Sequence, residues 1–482
     1  MRIRRPRNLA IADALVVAVC LTGADWLGAA RQGGSFAPFT GTWALRAGAI
    51  IAAWLAVLYV TGAYDSQYLR MRGRSLYLAA LATALAGAVC AALFYAVPDW
   101  RMNRAAFMLL CCAAGLLLGA NRMLWLRRHR GGGAGEVFAI GDPALLWTVW
   151  REMNGRSGPA PRLSLVSGTD GSRRAEPLAL HRLPGVRVCT PGEARGALNS
   201  DGARHTFISD GIIDNEAAAD LLTEATVRGA LVVDVFSFYE LSTGRCPVFR
   251  MDGRWLFNAR TQVPSPGSLA CKRALDWALA LVAAPVVLPV VLLAAMAVAL
   301  ESRFPVLYRQ RRMGHRGECF TLLKLRTMPR DAEAATGAVW SGRDDSRATP
   351  IGRFLRRTGI DELPQLLNVV LGQMSLVGPR PERPEIVGRL RREIPLYMQR
   401  HVVPPGITGW AQIHQGGDTC VQDVVEKLRY DLYYAKHFSL RFDLSILLRT
   451  FQMVLARAKP SAPERPRLAD LLGDERAEGA RP

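Results

Sequence analysis

Residues 274–300 are the most apolar run of the chain, with Asp276 its one charged residue, and they decide the topology of everything that follows. The run exceeds the ~20 residues that carry a helix across a hydrocarbon core. Two features argue against a simple crossing. Pro285 and Pro289 fall mid-run, where each removes a backbone donor and crowds the preceding turn. Lys272 and Arg273 precede the run, while Arg303, Arg309, Arg311 and Arg312 follow it, so both flanks carry the charge that stays on the inner side of a membrane. A helix broken at Pro285 that enters the bilayer and returns satisfies both facts. A full span is the alternative, and it would move everything beyond Leu300 to the outer side.

Four more apolar runs open the chain, at residues 9–30, 43–64, 76–97 and 105–124. The first follows Arg2, Arg4, Arg5 and Arg7 and so has the look of a signal peptide. Three further runs follow at once, which favours a retained membrane part of four helices over residues 1–130. Arg70, Arg72 and Arg74 lie between the second and third runs, and Arg122, Arg127, Arg128 and Arg130 follow the fourth; the other connections carry only Arg31, then Arg101 and Arg104. The asymmetry predicts a cytoplasmic N-terminus and a return to the cytoplasm after the fourth crossing. The nine cysteines include no CxxC pair and no zinc-type spacing, so no disulfide framework is implied.

Gly131-Gly-Gly-Ala-Gly135 is a flexible junction. Strand candidates follow at residues 136–141, 162–166, 186–189, 205–209 and 230–235, with helical spacing at 145–153 and 215–228. This alternation predicts a small Rossmann-like α/β domain over residues 136–257. It is a degenerate one: Gly141-Asp142-Pro143 places a proline where a dinucleotide site needs glycine. A structural or regulatory role suits it better than cofactor binding.

Chemistry-bearing residues concentrate after residue 308. In Phe320-Thr-Leu-Leu-Lys324-Leu-Arg326-Thr-Met328, strand alternation puts Lys324 and Arg326 on one face. Two cations there suit a phosphate-bearing ligand; a solvated basic strand near anionic lipid fits this segment equally. In Arg356-Arg-Thr-Gly-Ile-Asp361-Glu362-Leu-Pro364, adjacent carboxylates diverge on a helix, so one can attack while the other holds a metal or orients a partner. Thr358 or Gly359 can end one helix, and Asp361-Glu362 then opens the next with Pro364 in its first turn, where the helix dipole favours the ionised forms. A simple acidic capping pair is the competing account. In Val377-Gly-Pro-Arg380-Pro-Glu382, two prolines hold a rigid loop that presents one guanidinium, as a bidentate contact to phosphate or carboxylate requires. Trp410, in Pro404-Pro-Gly-Ile-Thr-Gly-Trp410, suits a membrane interface or a stacked base.

Together these residues resemble the bacterial sugar transferase family, the polyprenyl-phosphate glycosyl-1-phosphate transferases. The resemblance runs from Lys272-Arg-Ala-Leu-Asp276 through the proline-broken run, Lys324-Leu-Arg-Thr-Met328, Asp361-Glu-Leu-Pro-Gln365, Met374-Ser-Leu-Val-Gly-Pro-Arg-Pro381 and Pro405-Gly-Ile-Thr-Gly-Trp410 to Lys427-Leu-Arg-Tyr-Asp-Leu-Tyr-Tyr434. The N-terminal layout, and Phe238-Tyr239-Glu240 ahead of the catalytic part, resemble the long form that starts exopolysaccharide synthesis. The resemblance implies a monotopic α/β catalytic domain over residues 268–458, in a bacterial inner membrane with the catalytic domain cytoplasmic; the Pro-, Arg- and acid-rich composition of residues 459–482 predicts a mobile tail. It implies transfer of sugar-1-phosphate from a nucleotide diphosphate sugar, usually a UDP-sugar, to undecaprenyl phosphate, with release of UMP and Mg²⁺ as cofactor. Asp361 would be the nucleophile, with a phosphosugar ester as intermediate, and Glu362 a Mg²⁺ ligand or orienting group, the pair forming the metal site. Lys324, Arg326, Arg356 and Arg380 would hold phosphates, Glu382 and Asp431 are further candidates, and a homodimer is an admissible assembly. The chain departs from the family pattern at Ala284, where many members carry Ser, at Gln373, often acidic, and at His414, often Asn.

Other function classes fit less well. A membrane-anchored nucleotide-sugar oxidoreductase or epimerase would need the glycine fingerprint and a Tyr-x-x-x-Lys pair, and neither is present. A non-enzymatic scaffold or export partner for polysaccharide assembly would leave Asp361 without a task. The net charge of +20 points to phosphate-rich partners or anionic lipid, but the cations cluster beside apolar segments, which disfavours nucleic acid.

Overall fold

The computed structural model describes residues 7–31, 41–64, 72–100, 102–128, 137–141, 163–166, 186–201, 205–209, 216–247, 264–329, 347–394, 396–415 and 421–455, with isolated positions at 146, 149 and 150. The junction at 131–135, most of the helix expected at 145–153 and the tail at 459–482 lie outside them. The chain divides into two compact units, Met1–Phe238 and Tyr239–Pro482.

In the first unit, helices α1 (Arg7–Arg31), α2 (Gly41–Val60), α3 (Arg72–Ala96) and α4 (Arg104–Arg128) are each long and apolar enough to cross a membrane. Their shared core includes Leu21, Trp54, Leu58, Ala86, Leu110 and Leu118. A fully buried carboxylate lies inside it. Asp13 of α1 accepts from Tyr64 Oη at 2.9 Å and Asn121 Nδ2 at 2.7 Å, and pairs with Arg122 at 2.8 Å. A charge in that setting persists only when paired. The same unit contains a five-stranded parallel sheet in the order β3-β2-β1-β4-β5, from β1 (Val137–Ile140), β2 (Leu163–Val166), β3 (Val186–Cys189), β4 (Thr206–Ser209) and β5 (Leu231–Asp234), with α5 (Pro191–Asp201) and α6 (Glu216–Val227). Phe138 stacks on Phe207 at 5.0 Å in its core. Helix α7 (Val235–Thr243) follows β5 directly, and the boundary between the units falls within it.

The second unit is an α/β domain hung on one long helix, α8 (Pro266–Ser302). Ser265 caps it, its Oγ accepting from Ser268 N at 3.2 Å, and Pro266 occupies the first turn. The sequence predicts a break at Pro285; helical conformation instead continues through Pro285 and Pro289. Apolar surroundings offer no other partner for freed backbone groups, so a proline there costs one bond and leaves the rest of the helix as the best choice. Both ends of α8 pack on the same domain. Near the start, Lys272 Nζ lies 2.7 Å from Asp443, Asp276 Oδ1 accepts from Leu376 N at 3.1 Å, and Trp277 Nε1 donates to Val370 O at 3.1 Å. Near the end, Ala294 and Val298 pack with Leu325 and Leu355, and Glu301 accepts from Ile351 N at 3.0 Å. Between these anchorages Leu281, Val282, Val286, Leu288, Leu292 and Leu293 are exposed.

An antiparallel hairpin follows, β6 (Leu307–Met313) with β7 (Cys319–Leu325). Then come α9 (Pro350–Thr358), a 3₁₀ turn (Ile360–Glu362), α10 (Gln365–Val370), β8 (Ser375–Val377), α11 (Pro384–Glu393), β9 (Gly406–Thr408), α12 (Val421–Lys436) and α13 (Leu440–Leu455). Strands β8 and β9 pair in parallel, and the loop that follows β8 stays against β9: Gly378 N donates to Thr408 O at 2.9 Å and Gly406 N to Pro379 O at 3.0 Å. A Cβ on Gly378 or Gly406 would collide with the facing backbone, which is why glycine stands at both positions. Asn368, fully buried, staples α10 to β7: its Oδ1 accepts from Leu323 N at 3.1 Å and its Nδ2 donates to Thr321 O at 2.8 Å and Gln373 Oε1 at 2.7 Å. Asn368→Leu strands those backbone groups, and we expect a loss of about 2–3 kcal/mol, read from the unfolding midpoint of the detergent-solubilised protein. An unchanged midpoint would show that the staple carries no weight.

Candidate active site

The site forms where α9 ends. Gly359 terminates α9 in the left-handed conformation, φ 75°, its N–H returning to Leu355 O, a turn that favours glycine. The chain then enters the 3₁₀ turn that carries Asp361 and Glu362. The sequence predicts these residues in the first turn of a helix, but α10 begins only at Gln365. The adjacent carboxylates meet different environments. Glu362 accepts from Lys324 Nζ at 2.9 Å and from Arg380 at 2.5 and 3.3 Å. Asp361 is buried, and its carboxylate makes no hydrogen bond among the described residues.

Electrostatics follow from that division. Burial would raise both carboxyls. For Glu362 the Arg380 and Lys324 charges, with their hydrogen bonds, overcome it and hold the group well below the usual carboxylate range. For Asp361 burial, with the Glu362 charge beside it, pushes the pKa up to about 6 against the opposing pull of Lys324, Arg380 and Arg356. This corrects the expectation that a helix dipole keeps Asp361 firmly ionised: no helix starts there, and desolvation wins.

Of the four cations predicted to hold phosphate, three face this pair: Lys324 and Arg380 by contact, Arg356 through its field at Asp361. Arg326 does not sit with them. Strand β7 stops at Leu325, the alternation ends with it, and Arg326 Nη2 donates at 2.5 Å to the carbonyls of Ser302 and Arg303 at the end of α8. A cation there offsets the exposed carbonyls of a helix terminus. Glu382 and Asp431 form a supporting layer behind the Arg380 loop. Glu382 pairs with Lys427 at 2.5 Å and Arg312 at 3.4 Å; Asp431 pairs with Arg400 at 2.7 Å, whose Nη2 also donates to Arg380 O at 2.8 Å. Glu382 is held low by those cations. Sequence reasoning missed Arg400 and Lys427 as supports; the signal was the two prolines, which demand something to hold the loop they stiffen.

Trp410 serves neither a membrane interface nor a base. It is buried against His414, Tyr433 and Phe442, and its Nε1 donates to Gly244 O at 2.8 Å. His414 stacks on Tyr430 at 5.0 Å and contacts Trp410 O at 2.8 Å, and Gln373 is engaged by Asn368. Among the described residues no three His, Cys, Asp or Glu side chains converge as metal ligands. The pair Asp361 and Glu362 still suits Mg²⁺, which is commonly held by one or two carboxylates together with substrate phosphates.

The region that builds this site matches the family model described as bacterial sugar transferase, over residues 267–457. Curated relatives include the UDP-N-acetylgalactosamine-undecaprenyl-phosphate N-acetylgalactosaminephosphotransferase of Aeromonas hydrophila, 42% identical over 193 residues, 40% of this chain and 45% of the relative. A UDP-glucose:undecaprenyl-phosphate glucose-1-phosphate transferase of Escherichia coli (strain K12) is 36% identical over 231 residues, 48% of this chain and 49% of that one. One of the same description from Caulobacter vibrioides is 43% identical over 186 residues, 38% of this chain and 69% of its own length. The chain thus spans less than half of the Aeromonas relative and about half of the Escherichia one. With a family model matched across the whole site, and with 69% of the Caulobacter relative covered at this identity, the chain belongs to the bacterial sugar transferase family.

Proposed function

We propose that the protein transfers sugar-1-phosphate from a UDP-sugar to undecaprenyl phosphate at the inner face of a bacterial inner membrane, the first membrane step of exopolysaccharide synthesis. One observation carries the assignment of roles: of two adjacent carboxylates, Glu362 is committed to Lys324 and Arg380 while Asp361, buried, makes no hydrogen bond among the described residues. An oxygen nucleophile needs to be free of competing bonds and close to cations that stabilise charge on the phosphoryl oxygens.

In the first step an Asp361 oxygen attacks the phosphorus that bears the sugar. A P–O bond to Asp361 forms, the anhydride P–O bond breaks, and UMP leaves with the electron pair. In the second step a phosphate oxygen of the lipid carrier attacks the same phosphorus, the Asp361 ester breaks, and the lipid-linked sugar diphosphate departs. Lys324, Arg356 and Arg380 face the phosphoryl oxygens, and Glu362 keeps the first and last of these aimed. Mg²⁺, held by Asp361 and Glu362 with the donor's phosphates, would supply further charge neutralisation. The relatives act on different sugars by name, so the donor sugar is left open.

The fold supports a re-entrant path for α8. Its first and last turns pack on one domain, which a crossing of the bilayer would separate, and its exposed middle is apolar, as lipid contact requires. The Asp361 site then lies beside the membrane surface, within reach of a greasy acceptor and a soluble donor. A reporter fused after Leu300 should give a cytoplasmic signal; an outward signal contradicts re-entry.

Membranes carrying the protein should release UMP from a UDP-sugar panel with undecaprenyl phosphate and Mg²⁺, and chelation should stop it. Asp361→Asn should lower the rate a thousandfold or more, to the order seen when a nucleophile is lost; surviving turnover removes Asp361 from that role. Because only the ionised carboxylate attacks, kcat/KM should rise with pH through about 6 and level above it. Lys324→Met deletes a charge that lowers the Asp361 pKa, so the rising limb should move to higher pH. A limb displaced downward would contradict the electrostatic account.

A further inference from the structure

Eight residues ahead of the family-matched region 267–457 carry an arrangement that the proposed chemistry leaves unexplained. Residues 239–246 cross one side of α12, with Tyr239, Glu240, Arg245 and Cys246 buried. The Tyr239 hydroxyl accepts from Arg429, which also donates to Glu426 at 3.0 Å and to Cys246 O at 3.3 Å. Glu240, 1% exposed, takes Lys436 Nζ on both oxygens at 2.9 and 2.7 Å. Arg245 pairs with Glu426 and donates to Tyr430 Oη at 2.9 Å. Cys246 N donates to Arg429 O at 2.9 Å. At the bend, Gly244 has φ +69°, and a Cβ there would come 3.1 Å from Trp410. Three ionised side chains of α12, Glu426, Arg429 and Lys436, are thus paired here with or beside Glu240 and Arg245 of the incoming segment, and buried charges without partners are costly.

The other side of α12 faces the site. Lys427 holds Glu382 at 2.5 Å, Asp431 holds Arg400 at 2.7 Å, and Tyr434 Oη donates to Val377 O at 3.2 Å. Arg400 in turn holds Arg380 O at 2.8 Å, and Arg380 grips Glu362 at 2.5 Å. Lys427, Asp431 and Tyr434 alternate along the helix with Glu426, Arg429, Tyr430 and Lys436, so a shift or rotation of α12 moves both sets together.

We propose that residues 239–246 are a positioning strap for Arg380: they fix one side of α12, and the other side fixes the loop Val377-Gly-Pro-Arg-Pro-Glu382. The strap touches no substrate and acts through Arg400 and Lys427. Its kinetic readout rests on the transferase activity proposed above, whereas its structural readout does not.

The test uses the full-length protein in detergent, with Tyr239→Phe and Glu240→Gln. Amide exchange at Val377, Gly378, Arg380 and Glu382 should quicken about tenfold or more, and kcat should fall about tenfold with the donor KM little changed. In an Arg380→Ala background the same strap substitutions should cost no further activity, because the group they aim is gone. Wild-type exchange across residues 377–382 in folded strap variants, or losses that add fully to that of Arg380→Ala, would overturn the proposal. Should either variant fail to fold, the exchanged pair Glu240→Lys with Lys436→Glu decides: recovery of loop protection and turnover relative to Glu240→Lys alone supports the strap, and a refolded pair with an unprotected loop overturns it. A wild-type protein that releases no UMP would sink the transferase assignment and leave the exchange result standing.

Discussion

The carboxylate of Glu362 is the point on which the second unit depends. It draws Lys324 from a β-hairpin and Arg380 from a proline-stiffened loop to one place, two elements far apart in sequence. Removing Glu362 leaves both cations without their counterpart there, the kind of loss that costs several times more than that of an exposed pair. Asp361 gains its character from the same arrangement. It lies next to an ionised neighbour whose cations are already engaged, so burial dominates and its proton is held more tightly than in an ordinary aspartate.

Behind that centre, charge is compensated in successive layers. Glu382 with Lys427 and the half-buried Arg312, Asp431 with Arg400, and Lys272 with Asp443, itself held by Tyr434, are enclosed pairs that bridge separate elements. Helix α12 is the common member, with residues 424–432 buried without interruption. Such networks add little net stability over apolar packing, but they fix register because a shifted helix would strand several charges together. The phosphoryl transfer proposed for this site needs that kind of precision, since such catalysis rests on positioning and electrostatics.

Much of this was legible in the sequence where one residue type has one physical meaning. A helix had to end at Thr358 or Gly359, and it ends at Gly359; the prolines around Arg380 had to stiffen a loop, and the parallel strands of the middle sheet stood out as short apolar runs between turn residues. What the sequence misplaced depended on where a regular element stops. Arg326 reads as the partner of Lys324 only if β7 continues past Leu325, and it does not. Asp361 reads as dipole-stabilised only if a helix starts there, and α10 starts four residues later. Trp410 reads as an interface or stacking residue until Gly244, from outside the matched region, supplies its hydrogen bond. The cations that support the Arg380 loop were missed for a related reason: Arg400 belongs to no local pattern, Lys427 stands in a matched stretch that does not say what it holds, and only the fold brings them to Asp431 and Glu382.

The proposed transfer is a covalent relay through Asp361, which intact-mass spectrometry can catch. Protein incubated with a UDP-sugar that it turns over, in the absence of lipid acceptor, should gain the mass of one sugar phosphate, with the adduct mapping to the peptide that contains Asp361 and disappearing when undecaprenyl phosphate is added. A protein that turns over with acceptor yet never carries that adduct, or carries it on another residue, would contradict the account.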